Sequence, residues 1–150
     1  MKNYEKYCII ERIYFLKGSN LMLETGIKGK QTEKVTAENT AAAVGSGALP
    51  VYATPAMIAL MEKTALLSVA PELDDGMTTV GTKIDVAHTS ASPEGSVITC
   101  ESELTLIDRR RLVFTVTAYD DAGEIGKGTH ERFIVDSVKF SAKAAAKLQK

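Results

Sequence analysis

Between residues 51 and 70 the chain reads VYATPAMIALMEKTALLSVA, with only Glu62 and Lys63 charged. An apolar run of that length predicts a helix. Thr54 reads as its N-cap, and Pro55 as the first helical position, where a missing N–H costs nothing. Pro71 stops it near residue 70. A helix apolar nearly all round belongs against a core. After Asp74-Asp75-Gly76 the period changes from helical to two. Val80, Thr82, Ile84, Val86 and His88 then share one face of a long strand. Ser92-Pro93-Glu94-Gly95 predicts a turn. Ile98, Cys100, Ser102, Leu104 and Leu106 alternate with polar residues, as in a half-buried antiparallel strand. Residues 108–111 reverse the chain, and Leu112, Phe114, Val116 and Ala118 form the next apolar face. Residues 120–123 turn again, 124–136 make the last strand, and 137–150 a charged, Ala-rich helix. Ahead of the long helix lie a strand over 28–36, a helical turn over 39–44 and a Gly45-Ser46-Gly47 break.

One long helix followed by a four-strand meander, with a further strand before it, predicts an α+β domain. Its single curved antiparallel sheet wraps around the buried helix. The 150 residues, 45% hydrophobic and 25% charged, suit one core. The periodic pattern begins after residue 21. Residues 1–21 therefore read either as a dispensable N-terminal extension or as a short helix or strand packing on the domain, and 22–150 as the domain. Acidic residues among the basic ones and the lack of a small-residue cleavage site argue against a secretory signal there. A formal net charge of -1 without a basic stripe argues against nucleic acid as a partner. Glu62 and Lys63 interrupt the most apolar run, which argues against a membrane partner. Two cysteines, Cys8 and Cys100, make no disulfide framework and fit a reducing, cytoplasmic setting.

Few residues point to chemistry by themselves. On a helical wheel Glu62 projects between Ile58, Val69 and Leu66, about 100° from Lys63, so the two neighbours do not pair by default. An unpaired carboxylate in that setting is costly. Position alone fits a gap-filling polar residue as well as a reactive one. His88 ends an apolar strand face and fits a hydrogen-bonded core histidine. Thr54 is explained by capping. His130 shares a strand face with Arg132, which reads as structural pairing, and Arg109, Arg110 and Arg111 read as a solvated turn. The glycines around Ser46 are followed by no GK[ST], no GxSxG elbow occurs, and no Cys/His spacing suggests a metal.

Three segments go further: VYATPAMIALMEKTAL, VGTKIDVAHTSASPEG and RRLVFTVTAYDDAGEIGKGTHERFIV. In order and spacing they resemble the hot-dog-fold thioesterases related to fluoroacetyl-CoA thioesterase, over about residues 25–143. The resemblance implies a helix wrapped by an antiparallel sheet. It also implies a homodimer or dimer of dimers, with acyl-CoA bound at the subunit interface. The family's catalytic Thr at the helix start, Glu two turns later and His on the following strand match Thr54, Glu62 and His88. Gly81 and Arg132 match positions near the substrate. The implied activity is hydrolysis of a small acyl-CoA thioester, without metal or prosthetic group. The alternatives are an acyl-thioester hydratase or dehydratase, or a non-catalytic acyl-CoA-binding module. One departure stands out. The fluoroacetyl-specific enzyme closes its pocket with aromatic residues in the loop before the helix, and residues 44–49 here contain none.

Overall fold

The computed structural model describes residues 23–149, so the extension expected over 1–21 lies outside the described residues. Five strands form one antiparallel sheet: β1 (Lys28–Lys34), β2 (Met77–His88), β3 (Val97–Asp108), β4 (Arg111–Asp120) and β5 (Gly123–Asp136). Their order across the sheet is β1-β3-β4-β5-β2, which leaves β1 and β2 at the edges. A short helix α1 (Ala41–Val44) and the long helix α2 (Thr54–Val69) separate β1 from β2, and α3 (Ser137–Ala145) follows β5.

The predicted alternation explains how the sheet holds α2. Ile98, Cys100, Ser102 and Leu104 of β3 and Leu112, Phe114, Val116 and Ala118 of β4 are buried on the face toward the helix. Met57, Leu60, Met61, Thr64, Ala65 and Val69 of α2 pack into that concavity. On the outer face Lys28 stands opposite Glu103, and Lys30 opposite Glu101. These are solvated cross-strand pairs, which add little stability. The helix is not enclosed on every side. Pro55, Ala59, Lys63 and Leu67 form a stripe open to solvent, with Leu67 44% exposed.

Three local expectations are corrected. Thr54 is not the N-cap. Ala53 holds that position without a side-chain cap, and Thr54 is already helical. Nor do Val80, Thr82, Ile84, Val86 and His88 share one face. A bulge between Gly81 and Lys83 inserts Thr82 as an extra residue, so Thr79 and Gly81 face the helix before it, and Ile84, Val86 and His88 after it. A second irregularity, between Leu104 and Leu106, ends the β3 alternation and leaves Leu106 42% exposed. The helix α1 is capped by the Thr40 hydroxyl and closed by Gly45 in the left-handed region, φ 76°.

Candidate active site

Two polar clusters lie along one flank of α2. The first is at its N-terminus. Backbone bonds from Tyr52 N to the Ser92 carbonyl and from Ala53 N to the Asn39 carbonyl pin the entry into the helix. Thr54 then projects toward the end of β2, where its Oγ1 lies 2.8 Å from His88 Nδ1. His88 Nε2 is shielded from solvent and has no partner among the described residues. The buried Tyr52 ring meets the imidazole edge-on, with centroids 6.4 Å apart and planes at 78°. The Tyr52 hydroxyl donates to the Glu33 carboxylate of β1. Burial, reinforced by Glu33, pushes this phenol far above its ordinary pKa, so it stays a donor. A cleft of about 280 Å³ opens here, lined by Thr54, His88, Ala41, Ser46, Ser90 and Ala91. Larger hollows of about 470 and 500 Å³ lie on the charged outer face of the sheet and beside the 108–111 turn. Mostly charged and polar residues line them, and none of Thr54, Glu62, His88, Gly81 and Arg132 is among them.

The second cluster surrounds Glu62. Eight positions separate it from Thr54 on α2, or about 12 Å along the axis at the rise of an α-helix. The carboxylate accepts from Arg132 Nη1 at 3.3 Å, and its side chain remains 42% exposed. Arg132 is only 4% exposed. Its Nε donates to Thr79 Oγ1 at 2.7 Å and its Nη2 to the Thr79 carbonyl at 2.8 Å. Burial lowers the basicity of Arg132, and Glu62 counteracts it. With so high an intrinsic pKa the guanidinium stays a cation. His130 stands beside it, 1% exposed, with Nε2 3.0 Å from Arg132 Nη1. Burial, with Arg132 adding to it, lowers the His130 pKa against the opposing pull of the Lys83 carbonyl and Glu62. The 3.9 Å approach of His130 Nε2 to Glu62 is therefore no ion pair. Gly81 explains how the carboxylate comes so close to the sheet. A Cβ at that position would lie 2.6 Å from Glu62 Oε2.

The structure thus brings Thr54 to His88, and Glu62 to Arg132 and Gly81, with no hydrogen bond joining the two groups among the described residues. Among the described residues Glu62 pairs with Arg132 of β5 and not with its neighbour Lys63. His130 and Thr79 were missed as members of this cluster. The Gly128-Thr129-His130-Glu131-Arg132 alternation already placed His130 and Arg132 on one face. That this face looks toward Glu62 was not readable. Among the described residues no group of three or more His, Cys, Asp or Glu could hold a metal ion.

A long helix cradled by a five-stranded antiparallel sheet, with polar side chains set along one helix flank, defines a hot-dog-fold protein. The solved hot-dog-like protein from Thermanaerovibrio acidaminovorans shares this fold, with TM-score 0.74 at 20% identity over 82% of this chain and 91% of that one. The chain belongs to the fluoroacetyl-CoA-specific thioesterase family, whose model matches residues 35–138. It is 43% identical over 97 residues to a fluoroacetyl-CoA thioesterase from Streptantibioticus cattleyicolor, covering 65% of this chain and 70% of that relative. A solved structure of the fluoroacetyl-CoA thioesterase superposes with TM-score 0.79 at 35% identity, over 83% of this chain and 97% of the other. The sequence resemblance and the fold expected from it are both borne out.

Proposed function

We propose that this protein hydrolyses a small acyl-CoA thioester to the free acid and CoA. Thr54, Glu62 and His88 are its catalytic residues, and Gly81 and Arg132 lie against the substrate. The observation that carries the reading is the Thr54–His88 pair at 2.8 Å, on the same helix flank as a carboxylate held by Arg132. Thioester hydrolysis needs an oxygen nucleophile at the carbonyl carbon, a group that moves protons, and donors for the developing oxyanion. Glu62 delivers the oxygen, by direct attack or by taking a proton from water. His88 moves the proton, and Thr54 orients the imidazole and the thioester carbonyl. One water is consumed: the acyl carbon gains its oxygen, and the CoA sulfur leaves and takes up a proton.

The active unit is a homodimer. Thr54 and Glu62 leave the helix about 12 Å apart along its axis, a spacing that favours a carbonyl reached from two subunits. A second copy laid against the open stripe of Ala59, Lys63 and Leu67 would supply the further groups that such a shared site needs. It would also cover exposed apolar surface such as Leu67. A reducing, cytoplasmic setting agrees with Cys100, a buried free thiol that burial pushes up to about 11. The loop over 44–49 carries no aromatic lid and is exposed throughout, which favours acyl groups other than fluoroacetyl.

Thiol release from a panel of short acyl-CoA esters tests the activity. Glu62→Gln keeps the shape and removes the charge, so kcat should fall on the order of a hundredfold or more with the fold intact. Parental turnover by that variant at an unchanged melting temperature would remove Glu62 from the chemistry. An enoyl absorbance change without thiol release would point to a hydratase instead.

A further inference from the structure

His130 has no task in the chemistry above, yet it is one of two histidines in the chain and is 1% exposed. Both ring nitrogens have fixed partners. Nδ1 lies 2.8 Å from the Lys83 carbonyl oxygen, which can only accept, so Nδ1 carries the proton. Nε2 lies 3.0 Å from Arg132 Nη1, which can only donate, so Nε2 offers its lone pair. These two partners assign the neutral Nδ1–H tautomer. The other Nη1 hydrogen faces Glu62 Oε2 at 3.3 Å, while Nε and Nη2 of Arg132 are both tied to Thr79.

We propose that His130 is a positioning residue for Glu62: as a neutral imidazole it holds the Arg132 nitrogen that the Glu62 carboxylate engages, and ties it to β2 at Lys83. The proposal rests on the reading of Glu62 as a catalytic group. The choice of residue follows from its surroundings. A carboxylate at 130 would compete with Glu62 for the guanidinium, and an ammonium would repel it. An apolar side chain would leave a buried Nη1 hydrogen and the Lys83 carbonyl without this partner. The bulge at Thr82 has a role here, because it brings the Lys83 carbonyl to the imidazole just after Gly81 has made room for the carboxylate.

The groups around the ring agree. Glu62 faces it from α2, Arg132 from its own strand, the Lys83 carbonyl from β2, and the Phe114 ring from β4 at 6.5 Å. Protonation would set an N–H against an N–H and a second cation beside Arg132. Burial and Arg132 already disfavour that state.

Ring ¹⁵N spectra of the full chain test the tautomer, with His130→Gln separating the two histidines. The expected result is an Nδ1–H neutral ring that stays neutral below the ordinary histidine range of about 6.5. In acyl-CoA turnover, His130→Phe should lose at least tenfold in kcat with KM within about threefold. His130→Gln, which keeps an acceptor for Arg132, should recover most of that loss. An Nε2–H tautomer, or titration near 6.5, overturns the proposal, and so does a folded His130→Phe with kcat within twofold of the parent. Should the parent hydrolyse no acyl-CoA ester, the functional reading fails by itself, and the ¹⁵N spectrum still decides the tie between His130 and Arg132.

Discussion

The Thr54 hydroxyl oxygen stands 2.8 Å from His88 Nδ1, across the gap between the first turn of α2 and the last residue of β2. A threonine placed for capping would instead accept from a helix N–H, and this one does not. Its role is therefore separable from helix stability. Thr54→Val should lower kcat by about ten- to a hundredfold and shift the urea midpoint little. Thr54→Ser should retain most of the activity. A Thr54→Val protein with full kcat would remove the hydroxyl from the reaction, and one that unfolds readily would show that it serves the helix after all.

Gly81 should tolerate no added carbon without cost to turnover. A Cβ there would sit 2.6 Å from Glu62 Oε2 and 3.2 Å from His130 Cε1. The carboxylate is the flexible end of its side chain and would give way, so Gly81→Ala should displace it. The expected outcome is a tenfold or larger fall in kcat with stability changed by no more than about 1 kcal/mol. Denaturant melts beside kinetics check both parts, and an unchanged kcat would mean that the observed Glu62 position does not matter.

His130 should leave a mark on stability against pH. Its folded pKa is lowered, chiefly by burial. The unfolded chain therefore binds the proton first as pH falls through about 6.5. Stability from this group is present above that value and declines below it, toward the lower folded pKa. Urea midpoints measured downward from pH 7 should show the decline in the parent. They should show a flatter slope in His130→Gln, and identical slopes would contradict the assignment of a neutral buried ring.

The open stripe on α2 predicts assembly. Leu67 is 44% exposed in the single chain, so Leu67→Asp should leave the fold of one subunit intact. If a second copy covers that stripe, light scattering should give a two-chain or larger mass for the parent and a smaller one for the variant, which should also lose turnover. A parent that scatters as a single chain at micromolar concentration would count against a shared site.

Much of this protein is written locally. The change from an apolar run to a period of two, with its prolines and turn residues, determined the order of elements and the α+β class. Such patterns report which face of an element is dry, and each is contained within a dozen or so neighbouring residues. Three widely spaced segments also carried the family. The candidate site was legible as residue types, Thr54, Glu62, His88, Gly81 and Arg132, but not as an arrangement. Glu62 meets Arg132 across 70 positions, and His130 meets Lys83 across 47. Which strands become neighbours decides both contacts. The bulge at Thr82 belongs to the same category. One extra residue is accommodated only in relation to the partner strand β5, and it exchanges the two faces of β2. Tertiary pairing therefore decided that Gly81 and His88, an odd and an even position on one strand, both face the helix. It also decided that Thr54, a plausible cap by its neighbours, gives its hydroxyl to a histidine 34 residues away.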